Sequence, residues 1–475
     1  MKKFMAFFFL LKVCVLFGQE EWINLDLSDL LTDKVQAVYP IMNEQSGYFA
    51  TFIKSDDEII GFYNDDKQTL LTTLKIKLPF NFLDVFIGST YDGANFTLFF
   101  SDSSETKHSC IKVDFATNRY AIIEAITIIN KKERVISYIE MNASLHLITV
   151  SKKASLLHRK TLKLDGSVNE ATYDLSRETF ETDNGLPLTF DALLFGKKSQ
   201  NAFQTINTNV PNSLEQTSAV TKIYQNEKQI RLTNNSYQKK TYILDLDCNT
   251  NAYKLSTVEN QNFDKKNTKS NANSFILDEW FFDTYSTTDG ITLNIYDANT
   301  KQLNKTLTII PGDSIAFKNT PIIHDSGTSN PIRDLEKTSR FVRKVNNSNV
   351  GVAAYALKDK YIVTLGATHK RPNLGLVVVG AFIGGFAGAA LFSTFDAYGR
   401  TQSTHIQCLF DTDFNHVTGA LPKNGFDLIN AFLLEQNLKY SRTQTVFKYH
   451  DTYIWGYYKK AEKSYRFHQF NSFEE

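Results

Sequence analysis

Along most of this chain, apolar and polar residues alternate in short runs separated by turn residues. A two-residue period is the mark of half-buried β-strands. GYFATFIK (47–54), EIIGFYN (58–64) and LLTTLKI (70–76) form one group. NFTLFFS (95–101), HSCIKVD (108–114) and YAIIEAITI (120–128) form a second, and SLHLITVS (144–151) with ASLLHRKTL (154–162) a third. The leading strands start at 47, 95 and 144, shifts of 48 and 49 residues. Polar turns such as KSDDE, SDSSETK and SKKA separate the strands. Four further groups follow at 218–257, 275–309, 350–411 and 444–470, with the pattern fading at 176–217 and 310–335. A unit of 40–50 residues with three or four strands cannot bury both of its faces alone; stacked around an axis, such units share a continuous core. The expectation is an all-β fold, a β-propeller of six to eight blades with short helical insertions. One such domain fills 19–475. No WD or kelch signature marks the units, so periodicity carries this reading.

Three stretches break the strand pattern. LEKTSRFVRKV (335–345) and FDLINAFLLEQN (426–437) have apolar residues at helical spacing, the second with Asp427 near its start, where an acid suits the helix dipole. NQNFDKKNTKSNANS (260–274) reads as a polar loop. Most unusual is LGLVVVGAFIGGFAGAALF (374–392), which has no charged or hydrogen-bonding side chain and lies within an apolar, glycine-rich insertion at 372–400. Gly380, Gly384 and Gly388 recur every four residues, a spacing that permits close helix packing. As a helix the segment would reach about 28 Å, enough for a transmembrane span. A span, however, would separate KYIVTLGATH (360–369) from its expected partner strand STHIQCLFD (403–411). The segment is therefore expected to be a loop inside one blade that contacts a membrane, a hydrophobic partner or a second copy of the chain. The contact residues expected are Leu374, Leu376, Val378, Gly380, Phe382, Gly384, Phe386, Gly388, Leu391 and Phe392. A buried insertion under the propeller is the alternative.

Composition places the chain and excludes some functions. MKKFMAFFFLLKVCVLFG (1–18) has a basic start, an apolar core and a small final residue, and reads as a secretory signal peptide. Lys12 and Val13 before Cys14 do not suit a lipid-attachment motif. Without residues 1–18 the chain carries 49 basic and 51 acidic residues, a formal charge of −2, so no basic excess points to nucleic acid. Cys110, Cys248 and Cys408 remain; they are distant and odd in number, and read as small buried hydrophobes on strands.

The leader ending in Phe-Gly before Gln19, with Asn/Lys/Phe-rich strand repeats, resembles exported propeller-like proteins of Bacteroidetes type. That resemblance implies an exported protein, periplasmic or associated with the outer membrane of a Gram-negative bacterium. It brings no catalytic residues. RFHQFNSFEE, the end of the sequence, shows no sorting domain of the kind used for surface secretion in that group.

The candidate chemistry is sparse. Nine histidines are scattered and form no HExxH pair. His405 and Cys408 are three apart on a strand, which puts them on opposite faces. DTDFNH (411–416) starts like a calcium loop, but His416 and Pro422 stand where glycine and the bidentate acid belong, so it reads as a turn. YDGAN (91–95) and DNG (183–185) read as hairpin turns. No GxSxG, phosphate-binding loop or dinucleotide fingerprint occurs. The acid pairs Asp56–Asp57 and Asp65–Asp66 fall in turns. The sequence implies no cofactor and no metal. It points to a non-catalytic binding or scaffolding propeller whose partner is a membrane or envelope protein. The alternative is a propeller hydrolase of glycans or peptides, which would need acids or a Ser/His/Asp set converging at the axial face.

Overall fold

The computed structural model describes residues 21–474 apart from 31–33, 44–45, 164–166, 197–202, 227, 262, 264–269, 326–331, 370–382, 385–388, 401 and 439–442. Within these residues seven antiparallel blades form a closed ring. Blade one is Ala37–Met42, Phe49–Lys54, Glu58–Asn64 and Leu70–Lys77. Blade two is Val85–Tyr91, Phe96–Ser101, Lys107–Asp114 and Arg119–Thr127. Blade three is Glu133–Met141, Ser144–Ser151, Leu156–Leu162 and Val168–Asp174. Blade four runs from Thr221–Gln225 through Gln229–Asn234 and Lys240–Asp247 to Tyr253–Glu259. Blade five is Asn271–Leu277, Trp280–Ser286, Ile291–Asp297 and Leu303–Ile309.

Blade six is laid down out of order. From the inside outwards it is Asn349–Leu357, Lys360–Thr368, Ser403–Asp411, Ile322–His324 and Arg333–Leu335, so its two outer strands come first in the chain. Blade seven is Thr445–Tyr449, Thr452–Lys459 and Ser464–Asn471, completed by Glu21–Asp26 from the other end of the described chain. This last pairing closes the ring. Trp22 seals it, with ring centroids 4.8 Å from Phe49, 4.9 Å from Tyr449 and 6.1 Å from Phe467.

The core lies between blades. Phe49, Ile60 and Phe62 pack with Phe447, Ile454 and Phe467 across blades one and seven. Tyr39 and Phe52 meet Phe96 and Phe100 across blades one and two. Phe99 and Cys110 meet Tyr138 and Leu147 across blades two and three. Ile148 and Leu157 meet Ile223 and Leu244 across blades three and four. Blades four, five and six share the largest cluster, into which α3 (Thr338–Asn346) inserts Phe341, Val342 and Val345. At blade six's flank towards blade seven, Leu357, Ile362 and Leu409 pack against Phe473, just beyond the last strand of blade seven. Cys110, Cys248 and Cys408 are buried free thiols.

The seven sequence groups correspond to the seven blades, but the leading strands at 47, 95 and 144 are each second strands. The inner strands precede them as AVYPIM, VFIGSTY and ERVISYIEM. Pro40 is tolerated within AVYPIM because that strand is a sheet edge and one flank needs no backbone donor. The weak stretch 176–217 holds the hairpin Phe180–Glu181/Pro187–Leu188, α1 (Phe190–Phe195), Gln204–Ile206 and α2 (Leu214–Thr217). The weak stretch 310–335 holds the two outer strands of blade six. The polar loop expected over 260–274 ends earlier than that: Asn271–Ser274 belong to the inner strand of blade five. Asn273 and Ser274 are buried there and hydrogen bonded, Asn273 Nδ2 donating to Ser218 O at 3.0 Å and Val350 O at 2.9 Å. The expected leader, 1–18, lies outside the described residues.

Candidate functional site

The insertion leaves blade six between two paired strands. Lys360–Thr368 and Ser403–Asp411 remain in continuous register, from Lys360 opposite Asp411 to Thr368 opposite Ser403. The backbone of Ile383–Gly384 then lies parallel to the inner edge of blade three, Ile383 opposite Tyr138 and Gly384 opposite Ile139. A second internal segment, Gln204–Ile206, adds in parallel to the inner edge of blade four. These two short strands contact each other, and Ile383–Gly384 also contacts the inner strand of blade two. The centre of the ring is thus lined by the chain's own additions.

The return limb of the insertion is α4 (Ala389–Arg400), which packs on the inner strands Thr445–Tyr449 and Ala37–Met42 and on α2 and α5 (Gly425–Glu435). Phe395 is fully buried, its ring 5.3 Å from Phe426 in an edge-on contact. Tyr398 Oη donates to Asp427 Oδ1 at 3.0 Å and accepts from Asn424 Nδ2 at 2.9 Å. Asn424 and Asp427 also form the capping box of α5, so one pair of side chains both starts that helix and holds α4. Gln216 Nε2 donates to Thr394 Oγ1 at 3.0 Å. On the other side of α2, Gly351 permits close approach: a Cβ there would lie 3.3 Å from Ser218 Cβ and 3.4 Å from Leu214 Cδ2.

Of the contact residues expected from sequence, Leu374, Leu376, Val378, Gly380, Phe382, Phe386 and Gly388 lie outside the described residues. For Gly384, Leu391 and Phe392 the backbone alone is described. Among the described residues no helix is long and apolar enough to cross a membrane.

Where the insertion departs, a group of basic side chains gathers. His324, His369 and Thr404 share one side of the neck. His324 Nδ1 lies 2.8 Å from Thr404 Oγ1, and His369 Nε2 lies 3.3 Å from the same oxygen. Ser348 Oγ reaches His369 Nδ1 at 3.1 Å. The Lys344 ammonium, on the last turn of α3, lies 3.2 Å from His324 Nε2. It can only donate, so that imidazole nitrogen accepts and Nδ1 carries the proton. Burial lowers the pKa of His324, helped by Lys344, His369 and Arg333 and opposed by Asp325. Burial and then Lys344 lower His369, and burial with Arg333 and Arg343 lowers Lys344 itself. His405 faces the other way, paired through Nδ1 with Ser403 Oγ at 2.8 Å and held down to about 4 by burial.

Two other polar clusters lie inside the blades. Lys222 is fully buried, donating to Ala219 O at 2.7 Å and Asn273 Oδ1 at 2.5 Å, and burial lowers its ammonium to about 7. In blade three, Glu133, His158 and Glu170 bring ligand-type atoms within 4.8 Å of one another. Lys160 Nζ sits among them, 2.6 Å from Glu133 Oε2 and 3.8 Å from Glu170 Oε2. The lysine supplies the positive charge there, which makes the group an ion-pair network.

The other sequence candidates are structural. Asp411 Oδ1 accepts the amides of Asp413 at 3.0 Å and Asn415 at 2.8 Å, which makes DTDFNH a turn. Cys408 faces the core with Ile406 and Phe410, while His405 lies on the opposite face. Gly93 and Gly185 take φ of +96° and +80° in their hairpin turns. The neck cluster was not assembled from sequence, although His369 and His405 flank the insertion closely on either side.

No family model and no curated protein matches this chain. Among solved structures it is similar to the WD40 domain of SCAP from fission yeast, at 9% identity and a TM-score of 0.31, covering 94% of this chain and 89% of that one. It is also similar to the β-propeller domain of the Trilobed protease from Pyrococcus furiosus (11% identity, TM-score 0.28, 70% and 79% covered) and to the Dos1 propeller (7%, 0.27, 72% and 71%). At such scores the superpositions carry no functional weight; the sheet order and ring closure of this chain identify it as a seven-bladed β-propeller.

Proposed function

We propose that this protein is an exported, envelope-associated binding or scaffolding propeller that contacts a membrane or a hydrophobic partner through its apolar insertion. The observation that carries this reading is the seating of the insertion. A nineteen-residue run without a polar side chain is carried between two paired strands that stay in register across it. Its return limb is fixed by Phe395, Tyr398 and Thr394. A chain that needed only to join two adjacent strands would use a turn of a few residues. A long apolar segment costs solubility unless something covers it, so its retention at one point of the ring suits a contact element. The additions lining the ring's centre also occupy space that an axial ligand would need. This favours recognition through the insertion over binding at the axis.

Photo-crosslinking tests this reading. A diazirine amino acid at Val378 should label lipid or one envelope protein in cells, whereas the same probe at the exposed Leu186 should not. Equal labelling from both positions, or none from Val378, would sink the idea.

A further inference from the structure

Two helix capping boxes flank the return limb of the insertion, and both serve it. In α2, Gln216 Oε1 accepts the Ser213 backbone N–H at 3.1 Å, and the Gln216 backbone N–H donates to Ser213 Oγ at 3.2 Å. In α5, Asp427 Oδ2 accepts the Asn424 backbone N–H at 3.0 Å, and Asn424 Oδ1 accepts that of Asp427 at 3.2 Å. Each box is closed by its own reciprocal bonds. Each then directs remaining hydrogen-bonding groups to α4: Gln216 Nε2 to Thr394, and Asn424 Nδ2 with Asp427 Oδ1 to Tyr398. Thr394 and Tyr398 are four residues apart, which puts them on one face of the helix. Among the described side chains of α4, Phe395 alone belongs to the buried cluster, with Tyr398 packed against it.

The seat is built without α4. On its far side α2 is pinned to blades four and five, Ser218 O accepting from Asn273 Nδ2 at 3.0 Å and Ala219 O from Lys222 Nζ at 2.7 Å. The departing limb is fixed as well: Ser218 Oγ lies 3.0 Å from Thr368 Oγ1, at the end of its strand. The strands that bracket the insertion stay paired up to Thr368 and Ser403. α4 is therefore the one part of this assembly that can leave while its neighbours keep their own bonds.

We propose that α4 is a releasable latch: docked, it draws the apolar insertion against the ring; undocked, it frees the insertion, and Phe395 with it, for a bilayer. The inference rests on the reading that the insertion contacts a membrane, and adds the control of that contact. Hydrogen bonds such as those of Thr394 and Tyr398 have a small net worth, because water replaces the lost partner when the helix leaves. A bilayer favours release because only the undocked helix offers it Phe395. Released, the twelve residues of α4 add about 18 Å of reach. The coupling runs both ways: loosening the seat strengthens bilayer association, and bilayer binding unseats α4.

Amide hydrogen exchange and vesicle flotation, run on the same samples of the full chain, are the test. In the unaltered protein the amides of 389–400 should exchange at least roughly tenfold faster than those of Trp280–Ser286 in blade five, because α4 opens without the ring. Thr394→Val combined with Tyr398→Phe removes both hydroxyls and leaves the capping boxes and Phe395 in place. Loss of two such bonds should speed exchange across 389–400 by a further factor of about ten while Trp280–Ser286 stays unchanged. The double variant should also float several-fold more with vesicles of phosphatidylethanolamine and phosphatidylglycerol. Exchange at 389–400 as slow as in blade five, or unaltered in the variant, overturns the latch whatever the vesicles show. Faster exchange with equal flotation of the two proteins overturns its control of association. Faster exchange with flotation of neither shows that the membrane reading itself fails, and the proposal falls with it.

Discussion

Single side chains in the blades carry consequences that their positions make testable. Asp283 lies in the middle of blade five, in register with Ser274 on one side and Asn294 on the other. It is buried, and burial pushes its carboxyl up to about 7. An acid whose folded value exceeds its unfolded one binds its proton more tightly when folded. Its contribution is therefore greatest below about pH 4, declines as the pH rises towards 7, and is a net cost above that. Asp283→Asn should remove this slope and raise stability at pH 8 by on the order of 2 kcal/mol. Urea unfolding at pH 4, 6 and 8 measures it; an unchanged slope in the variant would show that other groups set the pH dependence. Residues also mark the repeat more clearly than the period does. Asp114, Asp247 and Asp297 begin the turns between third and fourth strands of their blades, each accepting amides two and three residues on. Thr117, Thr250 and Thr300 follow in step, and then Asn118, Asn251 and Lys301 at positive φ. This D-x-x-T turn is a blade signature that was readable in the sequence, yet it hides among many other Asp and Thr residues.

At the scale of elements, the insertion depends on how α4 is held. Phe395 joins a cluster with Val210, Phe426, Val446 and Trp455, drawn from four separate segments. Phe395→Ala should cost about 3–5 kcal/mol if the site cannot collapse around the void. It should also expose α4 to limited proteolysis before the ring unfolds. Cleavage at 389–400 no faster than in the parent protein would show that α4 does not depend on this contact. The alternating strands and the two longer helices, α3 and α5, were legible because their periods are strong and their apolar faces clean. The inner strands were less so. AVYPIM, VFIGSTY and ERVISYIEM carry a proline, a glycine and charged residues, all accommodated at a sheet edge facing the ring's centre. Asn273 and Ser274 misled for a different reason: their polar side chains are buried in hydrogen bonds to Ser218, Asn235 and Val350, and pattern alone treats buried polar residues as solvated.

For the whole molecule, closure decides stability. Glu21–Asp26 supplies the last strand of blade seven, and Arg466 ties it further through Glu21 at 2.9 Å. Nothing in EWINLD distinguishes it from the tail of a leader, because its partner is more than 430 residues away. A chain beginning at Leu27 should lose the aromatic contacts of Trp22 and leave Ser464–Asn471 as an open edge. It should unfold at a clearly lower temperature and aggregate on heating, as calorimetry and light scattering would record. Unchanged unfolding would mean that the ring does not depend on this strand. The blade count was accessible from sequence at the resolution of a range, and the insertion's place within one blade from the two strands that bracket it. The gathering of His324, Lys344 and His369 at its base was not, since their juxtaposition depends on blade six taking its two outer strands from the chain before its three inner ones.

The central functional claim is that the apolar insertion mediates association while the propeller supports it. Membrane fractionation of cells tests it most directly, comparing the full chain with one in which 374–382 is replaced by alternating Gly and Ser, leaving the neck and α4 intact. The full chain should partition with the envelope membranes and the replaced chain should move to the soluble fraction while remaining folded. Equal partitioning of the two would contradict the account.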